Sequence, residues 1–283
     1  MSAASRWLQV LETWGECPQL DGAREKAWER KRLDLVAYDG YSAFIGSLSL
    51  SERGEWTAGI YRDLDEATFN SVLATMRGVP DAGIYPMFEQ GLTEFDPDSM
   101  QEGEYFLKSP NVGAWNEDAA VANLFLSEAR NHQLFLRNPH PQLGAYLGCV
   151  VHNGRIVRLA FPHYFESLYD RIQRAQLNGE ERMEPGERSK CMHAIRKAVA
   201  HLHSLGYAHN DISASNIMFD KDGNAVLIDL DSCTPFGEKI GKGGIVGGWR
   251  GPRFWEQRFE TSSVECDEAS LQYIDDWLSG KQE

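Results

Sequence analysis

HNDISASNIMF at residues 209–219 and AVLIDLD at residues 225–231 decide the fold. Between them Asp222-Gly223 marks a tight turn, because this dipeptide suits the positive backbone angles of a hairpin. The apolar run from Ala225 to Ile228 reads as a buried strand that ends at Asp229-Leu230-Asp231. Asp211 and Asn216 stand 5 apart in a loop before the hairpin, and Asp229 follows 13 after Asn216. The hairpin folds the chain back, so Asp229 can return beside Asn216. Their two oxygens then converge on a hard cation such as Mg2+. Asp211 stands nearby as a carboxylate able to orient a hydroxyl. Phosphoryl transfer needs these parts, since it rests on positioning and charge neutralisation.

Upstream of the loop, Ser189 to Ser204 reads as an amphipathic helix. Cys191, Ile195, Val199 and Leu202 lie on one face, and Leu205-Gly206 closes it. Gly144–Val151 and Arg155–Phe161 read as strands joined at Asn153-Gly154. Pro162 to Ser167 ends the second strand and leads into a helix. Glu104 to Lys108 reads as another strand, closed by Ser109-Pro110. Asn116 resembles an N-cap, with Glu117 and Asp118 in the first turn of a helix running to about Leu136. Its spacing puts Val121, Leu124, Glu128 and Phe135 on one stripe, where the acid requires a partner.

Nearer the start, the mixed-charge stretch Ala23–Leu35 (AREKAWERKRLDL) reads as helical. Tyr38–Leu50 reads as short strands or loop. Asp65–Met76 reads as a helix stopped by Gly78 and Pro80. Strands with one helix, then a mostly helical half, give an α+β layout in two lobes.

The 28 basic and 42 acidic residues leave a net charge of −14. An acidic chain has no general attraction for phosphate backbones or anionic lipid, so neither nucleic acid nor a membrane is expected as a partner. The five cysteines are scattered without C-x-x-C spacing, so neither a zinc site nor a disulfide framework is indicated. No apolar run is long enough to span a bilayer, and no signal-peptide core is visible at the start. The expected location is the cytoplasm, with the nucleus as the alternative.

The stretch 209–231 resembles the H-R-D-x-x-x-x-N catalytic loop and D-F-G element of protein kinases, here written H-N-D-x-x-x-x-N and D-L-D. His201 to His209 looks like the helix and turn before that loop. His140-Pro141-Gln142-Leu143 resembles the H-P-N-I after the small-lobe helix. Asp267 to Leu278 resembles the central helix of the large lobe. Residues 84 to 278 are similar overall to kinase-like proteins of filamentous fungi.

The resemblance implies a two-lobed protein-kinase-like fold using ATP and Mg2+. Residues 1–83 would form an extension docked on the core, 84–165 the small lobe, and 166–283 a large lobe shortened after its central helix. Lys108 matches the phosphate-holding lysine and Glu128 its helix partner. Pro162, His163 and Tyr164 match the hinge beside the adenine. Asn216 and Asp229 match the metal ligands, and Asp211 the acceptor-orienting carboxylate. His209 would hold the loop's backbone.

The departures are specific. No G-x-G-x-x-G precedes Lys108; Gln90–Gly103 contains only Gly91 and Gly103. Another loop must cover the phosphates. Ser213 stands where serine/threonine kinases carry a lysine. GKGGIVGGWRGPRFWE, residues 241–256, reads equally as a flexible loop and as a substrate-facing segment. The expected activity is phosphorylation of protein Ser/Thr hydroxyls. A small-molecule kinase and a nucleotide-binding pseudokinase scaffold are the alternatives.

Overall fold

The computed structural model describes residues 6–16, 28–49, 51, 56–115, 120–180, 182–247 and 257–280. At the start, β1 (Trp7–Glu16), β2 (Trp28–Asp39), β3 (Ser42–Ser49), β4 (Gly59–Tyr61) and β5 (Arg77–Val79) form one sheet. Its order is β4-β1-β2-β3-β5, and every pairing is antiparallel. Helix α1 (Glu66–Leu73) is capped by the Asp65 carboxylate, which accepts from the Thr68 N–H at 3.0 Å. A carboxylate cap of this kind satisfies one of the N–H groups that the first turn leaves unpaired.

The expected helix over Ala23–Leu35 is corrected: Trp28 to Leu35 belongs to β2, and residues 23–27 lie outside the described residues. Glu, Lys and Arg favour helices locally, but pairing with β1 and β3 along the strand overrides that preference. The decisive pattern is period 2. Leu33, Leu35 and Ala37 pack with Leu8, Val10 and the α1 residue Phe69. Val36 and Tyr38 face the other way, into a core that also holds Tyr105, Val150, Val157 and Ala160. A strand buried on both faces loses the clean polar alternation that would identify it.

Helix α2 (Asp81–Ile84) leads towards the second sheet. That sheet has β6 (Tyr105–Lys108) and β7 (Gly148–His152) on either side of β8 (Arg155–Pro162), all antiparallel. The β7–β8 turn puts Asn153 (φ 49°) and Gly154 (φ 71°) in the left-handed region, as Asn-Gly permits. Helix α3 (Ala120–Leu136) lies behind this sheet. Residues 116–119, the expected helix start, lie outside the described residues. Val121, Ala122, Phe125, Glu128, Ala129, His132 and Phe135 are buried, whereas Leu124 is 66 % exposed. Leu124 therefore leaves the expected stripe, which turns instead through Ala122 and Phe125.

Arg158 joins the two sheets. Its buried guanidinium lies over the rings of Tyr38 and Tyr41 and donates to the Gly40 and Val157 carbonyls.

The second half is mainly helical. It contains β9 (Glu166–Ser167), α4 (Leu168–Leu177), α5 (Pro185–Ser204), β10 (Tyr207–Ala208), β11 (Ile217–Phe219), β12 (Ala225–Leu227), β13 (Thr234–Pro235), β14 (Ile245–Val246), β15 (Gln257–Arg258) and α6 (Val264–Leu278). The four apolar residues expected on one face of α5 are all buried. They join Ile217, Leu227, Ile274 and Trp277 in one core. The fold is a two-lobed α+β arrangement of the protein-kinase type. Among the described residues no helix is long and apolar enough to cross a membrane.

Candidate active site

The loop after α5 is held from below by Asp267, whose side chain is fully buried in the first turn of α6. Its carboxylate accepts from the backbone N–H groups of His209 and Asn210, both at 2.8 Å, and contacts His203 Nε2 at 2.9 Å. Asn210 has φ 62°, a left-handed angle that Asn tolerates better than most residues. Its amide donates to the carbonyls of Ala208 and Ser232 and to Ser262 Oγ. The His209 ring meets the Ile228 carbonyl at 3.0 Å, a structural role as expected.

The β11–β12 hairpin returns the chain as the spacing predicts. Ile228 N–H donates to the Asn216 carbonyl at 2.9 Å, which sets Asn216 beside the residue preceding Asp229. The Asn216 side-chain amide donates to the Asp211 carbonyl at 2.8 Å. Asp229 itself is left-handed (φ 64°, ψ 54°), a conformation held against an intrinsic cost by its surroundings.

Lys108, at the end of β6, ties the lobes together. Its Nζ lies 2.7 Å from Glu128 Oε1 on α3 and 2.5 Å from Asp229 Oδ1. Asp231 Oδ2 is 3.6 Å away. Lys108 and Glu128 meet as a close ion pair, with Glu128 nearly fully buried. The buried acid on α3 thus meets the cation that its position required.

Carboxylate oxygens of Glu128, Asp229 and Asp231 all come within 4.8 Å of one another. Clustered hard oxygen donors of this type fit Mg2+. Lys242 also enters the cluster, with Nζ 2.8 Å from Asp229 Oδ2 and 2.6 Å from Asp231 Oδ2.

These contacts set the protonation. Burial opposes charge on Lys108, but Glu128, then Asp229 and Asp231, outweigh it and hold the ammonium above the ordinary lysine range. Burial likewise opposes ionisation of Asp229, yet Lys108 and Lys242 hold it well below the usual carboxylate range. Asp231 is pushed up, by burial first and then by repulsion from Asp229 and Glu128. Two carboxylates at one point separate in this way, because both cannot ionise equally easily.

A cleft of about 260 Å³ opens above this cluster. Phe106, Phe161, Met218 and Ile228 give it apolar walls, with Pro162, His163 and Tyr164 also lining it and Lys108, Glu128 and Asp229 at its polar end. His163 N–H is tied to the Glu104 carbonyl and Phe165 N–H to the Phe219 carbonyl. An apolar slot ending in a lysine and carboxylates fits a planar base with a phosphate tail.

Asp231 and Lys242 were missed by sequence reasoning as site residues. For Asp231 the signal was available, as a second acid two positions after Asp229. For Lys242 only its glycine-flanked position in GKGG hinted at a close approach. Residues 248–256, including Trp249-Arg250-Gly251-Pro252, lie outside the described residues.

A family model described as "Protein kinase domain" matches residues 117–253. This span includes Glu128, Asp211, Asn216, Asp229 and Lys242, with Lys108 just outside it. The chain is 26 % identical over 154 residues to the dual specificity protein kinase pyk3 of Dictyostelium discoideum, covering 50 % of this chain and 11 % of that protein. It is 32 % identical over 109 residues to a dual serine/threonine and tyrosine protein kinase of Strongylocentrotus purpuratus, covering 38 % of this chain and 11 % of the relative. Thus the matched region is about a tenth of the length of either relative. Among solved structures, the yeast RNA Pol II CTD kinase CTDK-1 complex aligns with a TM-score of 0.35 and 19 % identity, over 40 % of this chain and 36 % of the other. The matched segment, just under half of the chain, and the lysine–glutamate–aspartate contact make this site similar to that of protein kinases.

Proposed function

We propose that this chain is an ATP-dependent phosphotransferase that uses Mg2+ and acts on serine and threonine hydroxyls of proteins. The observation that carries this reading is the position of Lys108, in simultaneous contact with Glu128 of the small lobe and Asp229 of the large lobe. A scaffold has no need to converge these charges at the end of an apolar cleft. The names of the relatives support protein hydroxyls as acceptors.

In this reading the cleft beside Pro162, His163 and Tyr164 takes the adenine, and Lys108 binds the nucleotide phosphates. Glu128 fixes the Lys108 ammonium. Asp229 and Asp231, with Asn216 beside them, hold the metal ion. Bound Mg2+ supplies charge neutralisation on the phosphates. Asp211 orients the acceptor hydroxyl and takes its proton. The acceptor oxygen bonds to the γ-phosphorus, and the bond to the bridging oxygen breaks with its electron pair leaving on ADP. Residues 1–83 form an extension on this core, residues 84–165 the small lobe, and residues 166–283 the large lobe.

A second reading, a nucleotide-binding module without turnover, is favoured by one observation. Lys242 already neutralises the Asp229–Asp231 pair. The test is incubation with Mg-ATP labelled at the γ-phosphate and dephosphorylated casein, followed by phosphoamino acid analysis. Phosphoserine and phosphothreonine support the first reading. Tight nucleotide binding with no transfer to casein or to the chain itself favours the second.

A further inference from the structure

We propose that Lys242 is the residue that grips the γ-phosphoryl group during transfer, delivered to the site by the chain after Asp229 rather than by the 209–216 loop. The inference rests on the phosphotransferase reading and deepens it. Lys242 sits between two fixed points. Ile240 N–H donates to the Glu260 carbonyl at 2.9 Å, and Gly244 N–H donates to the Asn210 carbonyl at 2.6 Å. Between them Gly243 (φ 86°) packs so tightly that a Cβ there would lie 2.9 Å from Asp211 Cβ. The lysine backbone is therefore anchored against Asp211, the acceptor-orienting carboxylate.

The Lys242 ammonium lies at the other end of the site, on Asp229 and Asp231. Its side chain thus spans the interval between Asp211 and the metal-holding carboxylates. The phosphoryl group must cross that interval, because the attacking and leaving oxygens lie roughly in line through it. With Asp229 and Asp231 engaged in holding a divalent cation, the Lys242 ammonium would lose its carboxylate partners, while the anchored backbone keeps it within reach. A γ-phosphoryl group crossing this interval would then supply the anion for it to pair with. A cation placed where negative charge is transferred stabilises it electrostatically. The half-exposed side chain has room for that movement, at 46 % exposure against 30 % for Lys108.

The experiment is calorimetric titration of the full chain with Mg-ATP and with Mg-ADP, for wild type, Lys242→Ala and Lys242→Arg, each confirmed folded by thermal melting. Lys242→Ala is expected to weaken Mg-ATP about tenfold with Mg-ADP unchanged, and Lys242→Arg to recover most of the loss. An unchanged ATP-to-ADP ratio in Lys242→Ala overturns the inference, leaving Lys242 as a counter-ion. So does an equal loss for both nucleotides. If wild type binds neither nucleotide, the phosphotransferase reading itself fails and takes this inference with it.

Discussion

Lys108 and Asp229, 121 positions apart in the sequence, meet at 2.5 Å across the cleft between the lobes. The contact makes the position of the small-lobe strand depend on the large-lobe hairpin. Glu128 completes it from α3, at 2.7 Å.

Glu128→Gln tests this arrangement. The amide keeps the shape and removes the charge that holds Lys108. The expected result is a fall in kcat of about 100-fold, the scale of a misplaced binding group. Thermal stability should change much less. A rate within twofold of wild type would show that Lys108 does not depend on Glu128.

Asp231 should separate stability from metal binding. Its folded pKa is raised, so its protonation favours folding: that contribution is full below the unfolded value of about 3.9 and is lost as pH rises through the folded value. Asp229 has the opposite sign. Its folded pKa is lowered, so its contribution is present above the unfolded value and lost as pH falls through the folded one. Asp231→Asn should therefore keep or raise the metal-free melting temperature at pH 7 while weakening Mn2+ binding. A melting temperature lower by more than about 4 °C would contradict this account.

Asp267 holds two backbone N–H groups of the 209–216 loop from a fully buried position. Asp267→Ala leaves both donors unpaired and removes the His203 contact. The expected cost is about 3–5 kcal/mol in urea unfolding, as for breaking a buried charged network. A loss under about 1 kcal/mol would show that water replaces the carboxylate.

Arg158 should couple the first sheet to the second. Arg158→Met keeps much of the volume and deletes the ring stacking and carbonyl bonds. A loss of about 2–4 kcal/mol is expected. Limited proteolysis should then cut within residues 28–49 before the rest of the chain. Unchanged protection there would mean that the shared apolar core around Tyr38 and Val157 suffices.

Much of the second half was legible because its signals are local. The Asp222-Gly223 turn, the α5 face and the Asp211–Asn216–Asp229 spacing each lie within a short window. The hairpin then has little freedom in where it returns Asp229. The first sheet was hidden because its evidence is non-local. Nothing in WERKRLDL announces that strands on both sides will pair with it, and burial on two faces removed the alternation. Leu124 was misplaced by counting apolar residues. The buried stripe of α3 instead runs through Ala122, Ala129 and His132, which carry weak or polar signals. Lys242 is a single long side chain on a glycine-rich stretch, and its target depends on where Gly243 packs.

Phosphoryl transfer in this cleft is proposed to depend on Asp211 and Asp229. Its most direct test is ADP release from Mg-ATP in the presence of casein by wild type, Asp211→Asn and Asp229→Ala, beside nucleotide binding for each. Turnover is expected from wild type alone. Asp211→Asn is expected still to bind ATP, and Asp229→Ala to lose the dependence of ATP binding on Mg2+. Turnover retained in either variant, or a wild type that binds Mg-ATP without ever releasing ADP, would contradict it.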